Sequence, residues 1–310
     1  MNGRSLLPPL PRGSTVTVGS FDGVHLGHQA VLREIARRAG AAGRASVLVT
    51  FEPHPLEVVN PQAAPPLLTT GPERREVLAQ TPLDYVYFLR FDRQLAGLTP
   101  EEFVRRVLLE RCGMRELVIG HDHGFGRGRS GDVETLRRLG AEDGFEVDVV
   151  AVVDVGEQHV SSSRIRRAVA GGDLETAARM LGRPYSVSGR VGQGERRGRL
   201  LGVPTINLAE VPPQKLLPPD GVYAVRVEWR GGRAGGMMNQ GTRPTFDDGR
   251  RVLEAHLFGF EGDLYGEWVR IEWVERLRDV ERFPSVEQLQ RQLERDRSRA
   301  LAVLGRTPAA

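Results

Sequence analysis

Gly19-Ser20-Phe21-Asp22-Gly23-Val24-His25-Leu26-Gly27-His28 sets two imidazoles three positions apart, between a β-rich run and a helical pattern. Glycines let a backbone approach a ligand closely. A helix N-terminus offers unpaired N–H groups and the positive end of the helix dipole to a phosphate. Two imidazoles at such a junction can both donate to phosphate oxygens. An HxxH pair also suits a metal, but no carboxylate or third ligand stands at helical spacing from it. A second candidate is Ser161-Ser162-Ser163-Arg164-Ile165-Arg166. Serines at a helix start are often a plain cap, yet Arg166 follows one turn later on the same face, which suits an anion. A third is the glycine- and arginine-rich stretch 124–132, holding Phe125, Arg127 and Arg129. Two arginines are too few for an RNA-binding arm, and the stretch follows an expected strand. Gly189, Gly192 and Gly194 offer the glycines of a phosphate loop, a weak signal alone.

Alternating elements must position the first of these groups. Strands are expected at 14–19, 45–51, 84–89, 116–119 and 146–153. Helices are expected at 29–42, around 72–79 and over 100–112, the last with Thr99 as cap, Pro100 at its first position and Gly113 as its stop. Such alternation implies a parallel sheet covered by helices, with function at the carboxyl ends of the strands. Of the seven histidines, five (His25, His28, His54, His121 and His123) fall just after expected strands. From Tyr185 onward the strands are short and turn-separated: 185–191, 204–208, 221–229, 233–239, 251–260 and 267–274. A helix over 285–304 carries Val286, Leu289, Leu293 and Leu301 as its apolar stripe. The second half therefore reads as a small β-barrel with a terminal helix. The join falls near Gly182–Pro184, giving domains 1–183 and 184–310.

Composition bounds the function. With 310 residues, 40% of them hydrophobic and 27% charged, the chain is sized and composed for two globular domains rather than a disordered or fibrous protein. No apolar run reaches the roughly 18–20 residues that cross a bilayer, and prolines interrupt any signal-like stretch near Met1. A single cysteine, Cys112, excludes an internal disulfide and a CxxC metal site. A reducing cytoplasm is the expected compartment. Of 43 Lys and Arg residues only Lys215 is a lysine, a bias that locates no site. The isoelectric point near 9.4 would permit nucleic-acid binding, but acidic residues are interspersed throughout and no basic arm exists. Neither nucleic acid nor membrane is an expected partner, and nothing specifies an oligomeric state.

GSFDGVHLGH resembles the nucleotidyltransferase signature of the bacterial bifunctional riboflavin kinase/FMN adenylyltransferases, or FAD synthetases. The resemblance continues in order through Phe51-Glu52-Pro53-His54-Pro55, Ile119-Gly120-His121-Asp122-His123-Gly124-Phe125-Gly126 and SSSRIR. It resumes at Gly202-Val203-Pro204-Thr205-Ile206-Asn207-Leu208, at Asn239-Gln240-Gly241-Thr242-Arg243-Pro244-Thr245-Phe246, and from Glu254 to Leu264-Tyr265-Gly266, so that it spans roughly 14–302. Departures include Ser163 for the usual threonine, Ile206 for alanine, and His121 and His123 around Asp122. None removes a group that carries chemistry.

The resemblance implies an α/β protein: a Rossmann-like nucleotidyltransferase domain, then a six-stranded barrel that phosphorylates riboflavin with ATP. The first domain would join the resulting FMN to AMP from a second ATP, giving FAD and pyrophosphate. Gly19, Phe21, His25, His28, Ser162, Ser163 and Arg166 would bind that ATP, with His25 and His28 stabilising charge at the α-phosphate. His54 and Asp122 would line the same site, Phe125 would face the isoalloxazine, and Arg127 and Arg129 would reach the FMN phosphate. In the barrel, Gly189, Gly192 and Gly194 would border ATP. Thr205 and Asn207 would hold Mg²⁺, as hard oxygens two apart on one strand face. Glu254 would be the general base, and Asn239, Arg243 and Thr245 would surround flavin or nucleotide. Partners are small molecules: ATP, riboflavin and FMN. Other HxGH enzymes transfer nucleotides to pantetheine phosphate, nicotinate nucleotide or glycerol phosphate, but the barrel motifs argue against those acceptors. An RNA-binding protein on a relict enzyme fold has only the isoelectric point in its favour.

Overall fold

Ser14–Val18 is buried along its whole length, as a strand with helices on both faces must be. It is β1 of the computed structural model, which describes residues 8, 10–120, 132–150, 154–155, 158–193, 203–209, 211–242 and 251–306. The chain divides into two compact units, Met1–Ser162 and Ser163–Ala310.

In the first unit β1 leads to α1 (Leu26–Ala42), β2 (Ala45–Glu52), α2 (Pro55–Val59), α3 (Gly71–Leu78) and β3 (Tyr85–Arg90). Then come α4 (Arg93–Ala96), α5 (Pro100–Phe103), α6 (Glu110–Cys112), β4 (Met114–Gly120), α7 (Val133–Asp143) and β5 (Glu146–Val150). A short hairpin, β6 (Asp154–Val155) with β7 (Gln158–His159), follows. The five main strands are parallel, in the order β3-β2-β1-β4-β5. The strand pleat sorts side chains onto two cores. Val47, Val49, Leu117 and Ile119 face Phe103, Val104 and Leu136, while Leu48 and Val118 face Val31, Leu32 and Ile35 of α1. Strand order reverses between β1 and β4, the place where open α/β sheets form ligand crevices.

The expected helix from Thr99 begins as read: Thr99 and Glu102 form a reciprocal capping box and Pro100 opens the first turn. Gly113, at φ 59°, ends it. Between α5 and α6, however, Val104–Leu109 widens to a π-helical turn, and Val104, Val107 and Leu108 all remain in the core. Cys112 is buried there, and burial pushes its thiol up to about 12.

The second unit takes in α8 (Ser162–Ala170), whose first residue closes the unit before it, and α9 (Leu174–Leu181), which ends at Gly182 in the left-handed region and runs against β13 (Trp268–Arg278). Its other strands are β8 (Ser186–Gly192), β9 (Ile206–Ala209), β10 (Gly221–Trp229), β11 (Gly232–Thr242) and β12 (Arg251–Leu257), and α10 (Val286–Arg306) is last. The strands close a barrel in the order β10-β11-β12-β9-β8-β13. A buried polar chain crosses its core: Trp273 Nε1 donates to Gln240 Oε1 at 3.1 Å, and Gln240 Nε2 donates to Pro218 O at 2.6 Å.

The structure corrects three expectations. Pro204 and Thr205 lie ahead of β9, not within a strand at 204–208. Proline lacks the ladder N–H, and the Pro204 carbonyl instead meets His256 Nδ1 at 2.8 Å. β12 stops at Leu257 because the chain turns at Gly259, φ 66°. On α10, Val286 and Leu301 are exposed, and the buried residues are Asp296, Ala300 and Val303. An ion pair sets this face: Arg278 near the end of β13 engages Asp296 through Nε, 3.0 Å from each oxygen, and through Nη2 at 2.8 Å.

Candidate active sites

The loop over residues 20–25, which follows β1, holds two L-residues in a conformation that they rarely adopt. Phe21 has φ 48° and Val24 φ 38°, and neither is glycine. Each such residue costs about 1–3 kcal/mol and persists only where its surroundings over-determine it. The surroundings do so nearly group by group. Ser20 O accepts from Arg74 Nη1 at 2.7 Å and from Thr50 Oγ1 at 3.1 Å. Phe21 O accepts from Val24 N, Asp22 O from Ser162 Oγ at 3.1 Å, and Val24 O from Gln29 Nε2 at 3.1 Å. The Asp22 carboxylate, 2% exposed, accepts from Leu68 N at 2.9 Å and from Thr69 N and Oγ1 at 2.8 and 3.0 Å. Arg74 reaches across to Phe51 O with Nη2 at 2.6 Å. Burial lowers the pKa of its guanidinium, while the charges of Asp22 and Glu52 oppose that shift.

The strained loop delivers two histidines to the start of α1. His25 is the N-cap, its Nδ1 accepting from His28 N at 3.3 Å. A neutral ring that accepts at Nδ1 carries its proton on Nε2, so the opposite edge of the His25 ring is a donor. The His25 and His28 rings stack with centroids 3.6 Å apart, and Phe21 lies 4.6 Å from the His28 ring. A Cβ on Gly27 would come within 3.2 Å of the His25 ring, which is why a glycine separates the two sites of the motif. Gly19 likewise leaves room for the Phe21 ring. His54 repeats the device after β2: it caps α2, its Nδ1 accepting from Leu56 N at 3.3 Å. The first unit thus places Gly19, Phe21, His25 and His28 together beyond the carboxyl end of β1. Ser162 is joined to the same loop through the Asp22 carbonyl. Ser163 and Arg166 stand on α8 beyond the unit boundary, and Asp122, Phe125, Arg127 and Arg129 lie outside the described residues.

In the barrel, strand register does the gathering. Glu254 of β12 is paired with Asn207 of β9 on one side and with Asn239 of β11 on the other. Leu253, Ala255 and Leu257 point into the barrel core, so Glu254 and His256 occupy the opposite face. That face borders a cavity of about 610 Å³ beneath α10, whose lining includes Thr205, Asn239, Glu254, Met237, Phe283 and Leu293. The volume lies within the roughly 300–1,000 Å³ of small-molecule sites. Arg278 and Asp296 form part of its wall, and Gln292 Nε2 donates to Asp296 Oδ1 at 2.9 Å. Among the described residues no cluster of three or more His, Cys, Asp or Glu is arranged to cage a metal.

Gly189 and Gly192 sit inside β8, not in a loop. A Cβ on Gly192 would fall 2.6 Å from the Ala209 Cβ, and one on Gly189 3.0 Å from the Ala209 carbonyl. Close approach of β9 is therefore one sufficient reason for both. Gly194, Arg243 and Thr245 lie outside the described residues. Asp22, Thr69 and Arg74 in the first unit, and Arg278 and Asp296 in the second, were not singled out by sequence reading. Only Asp22 had a signal, its place inside the motif; the others are brought in by contacts across many residues of chain.

A strained, histidine-bearing loop at the switch point of a parallel sheet, with a barrel whose carboxylate borders an organic-sized cavity, defines a two-part nucleotide-handling enzyme. The comparisons give the particular kind. Residues 7–164 match the family model of FAD synthetase and residues 181–304 that of riboflavin kinase. The Pseudomonas fluorescens bifunctional riboflavin kinase/FMN adenylyltransferase is 38% identical over 298 residues, covering 96% of this chain and 95% of its own. The Escherichia coli K12 protein of the same name is 37% identical over 300 residues, with the same two coverages. The chain belongs to the bifunctional riboflavin kinase/FMN adenylyltransferase family. Among solved structures, one described as a macrolide-efflux protein from Streptococcus pneumoniae matches with a TM-score of 0.82 and 33% identity over 93% of both chains. Efflux is that protein's description. Among the described residues of this chain no helix is long and apolar enough to cross a membrane.

Proposed function

We propose that this chain makes FAD from riboflavin in two steps, phosphorylating riboflavin to FMN in the barrel and adenylylating FMN in the parallel-sheet domain, with ATP as donor in both. The observation that carries the reading is the strand-register grouping of Asn207, Glu254 and Asn239 beside an organic-sized cavity, in a chain that also carries the paired histidines. Domains at 1–183 and 184–310 and a cytoplasmic location are parts of the same reading.

In the barrel, the cavity beneath α10 takes the isoalloxazine between apolar walls, directing the ribityl chain toward Glu254. Glu254 accepts the proton of the 5′-hydroxyl as its oxygen bonds to the γ-phosphorus and ADP departs. Asn239 orients the ribityl end, with Arg243 and Thr245 continuing that surface. Thr205 and Asn207 supply a hydroxyl and an amide oxygen, hard donors of the kind Mg²⁺ takes beside substrate phosphates. When bound there, Mg²⁺ would neutralise charge on the phosphates of ATP.

In the first domain a phosphate oxygen of FMN attacks the α-phosphorus of ATP and pyrophosphate leaves. No protein nucleophile is needed, so catalysis is alignment and charge stabilisation. Gly19 and Phe21 shape the loop, and His25 and His28 donate to the phosphate oxygens. Ser162 has a single hydroxyl proton, which it donates to Asp22 O. It therefore fixes the start of α8, while Ser163 and Arg166 keep the triphosphate role that their motif implies. His54, Asp122, Phe125, Arg127 and Arg129 are assigned to FMN.

Incubating the protein with riboflavin, ATP and Mg²⁺ and separating the flavins tests this directly. FMN and FAD are expected in sequence. FMN alone would mean that the first domain has another acceptor, and neither flavin would overturn the proposal.

A further inference from the structure

In the network under the histidine loop, the Thr69 side chain touches both the loop backbone and its carboxylate. Thr69 Oγ1 accepts from Gly23 N at 3.0 Å and donates to Asp22 Oδ1 at 3.0 Å, and its own N–H bonds the same oxygen at 2.8 Å. Thr69 is 8% exposed and Asp22 2%, so neither meets substrate broadly. They lie 47 residues apart, and the segment that carries Thr69 is itself anchored. Thr70 caps α3 in a capping box with Glu73, and Arg74 on that helix holds Ser20 O. Gly23, itself at φ 83°, falls between the two non-glycine residues with positive φ, Phe21 and Val24, two positions before His25. A hydroxyl at Thr69 thus pins the centre of a strained turn whose far end is the imidazole cap of α1.

We infer that Thr69, acting through Asp22 and Gly23, is a positioning residue for His25 and His28, setting where their donor edges stand relative to the reacting phosphate. The inference rests on the adenylyltransferase reading of this site. It goes beyond that reading by assigning part of catalysis to a residue outside every motif of the sequence. The loop is strained, so removing its pin lets it relax, and displacement of a catalytic group by about 1 Å costs on the order of 10²-fold. The effect belongs in kcat, because Thr69 contacts the loop and not the nucleotide.

Thr69→Val keeps the shape and removes the hydroxyl; Thr69→Ser keeps the hydroxyl. FAD formation from FMN and ATP is measured for both as kcat and KM per folded molecule, with riboflavin phosphorylation by the same preparation and a thermal melt as gauges of folding. Thr69→Val is expected to lower kcat about 10–10²-fold with KM for ATP changed far less, and Thr69→Ser to restore most of the loss. Wild-type kcat in Thr69→Val, or equal losses in both variants, overturns the inference. If Thr69→Val does not fold, Asp22→Asn decides, because its amide sets a donor against the Leu68 N–H at nearly constant volume. The same kcat loss upholds the inference. Normal turnover, or failure of this variant to fold as well, assigns the network to stability alone. Absence of FAD with the wild-type protein would instead overturn the reading of the site, whatever the variants do.

Discussion

Glu254 is singled out only by its neighbours. Taken by itself, a strand glutamate is commonly a solvated edge charge, and the sequence offers 40 acidic residues with no pattern that selects this one. Register makes the selection: Asn207 and Asn239 flank Glu254 on the face that borders the cavity. Glu254→Gln keeps the volume and an acceptor but is far less basic. We expect a loss of kinase kcat of about 10²–10⁴-fold, the range for a positioned base, with riboflavin affinity little changed. Phosphoryl transfer with a loose transition state places the loss at the lower end. Turnover and riboflavin titration on the same folded variant check it, and wild-type turnover would make Glu254 an ordinary barrel charge. The histidines were legible for the opposite reason: His25, Gly27 and His28 are local, and cap, spacer and stacked rings all lie within one turn. Asp22 was visible but mute, since its partners Leu68 and Thr69 arrive from another part of the chain.

At the scale of elements, alternation and caps were readable because they depend on neighbours in sequence. Thr99-Pro100 opened a helix, Gly113 closed one, and 221–229 was a strand with the bounds expected. The face of α10 was not readable. Hydropathy favours Val286 and Leu301, yet the helix turns Asp296 inward because Arg278 waits at the end of β13. No periodicity rule places a carboxylate in a helix interface. The pair joins the helix that roofs the cavity to the barrel that floors it, and Gln292 adds a further bond. Breaking a buried pair leaves one charge uncompensated, whereas replacing both partners by apolar groups is often nearly neutral. Asp296→Ala is therefore expected to destabilise the barrel by about 3 kcal/mol, near the lower end of the range for such losses. Arg278→Met with Asp296→Leu should recover most of it. Denaturant midpoints of the two proteins check this, and a single-variant cost below about 1 kcal/mol would reduce the pair to a surface contact.

At the scale of the molecule, two kinds of architecture serve two reactions, and each assembles its groups by its own device. The parallel sheet gathers loop residues at a switch point, so its paired histidines are written in one contiguous motif. The antiparallel barrel gathers residues by register, so Asn207, Asn239 and Glu254 are dispersed in sequence and become neighbours only after folding. No residue assigned to one reaction is assigned to the other. The activities should then part cleanly under mutation. His28→Ala removes the donor to phosphate proposed above and, if the site works by charge stabilisation, is expected to cost FAD formation about 10²–10³-fold, while riboflavin phosphorylation stays near wild type. Asn207→Ala should do the reverse: FMN formation falls, and FAD formation is retained when FMN is supplied directly. Supplying FMN matters, because a mixture started from riboflavin alone would show little FAD in either variant, for want of turnover in one and for want of FMN in the other. Each variant is assayed in both reactions beside a thermal melt. If either substitution silences both reactions in a protein that melts as wild type does, the two sites do not act independently, and the division of labour drawn from the two architectures fails.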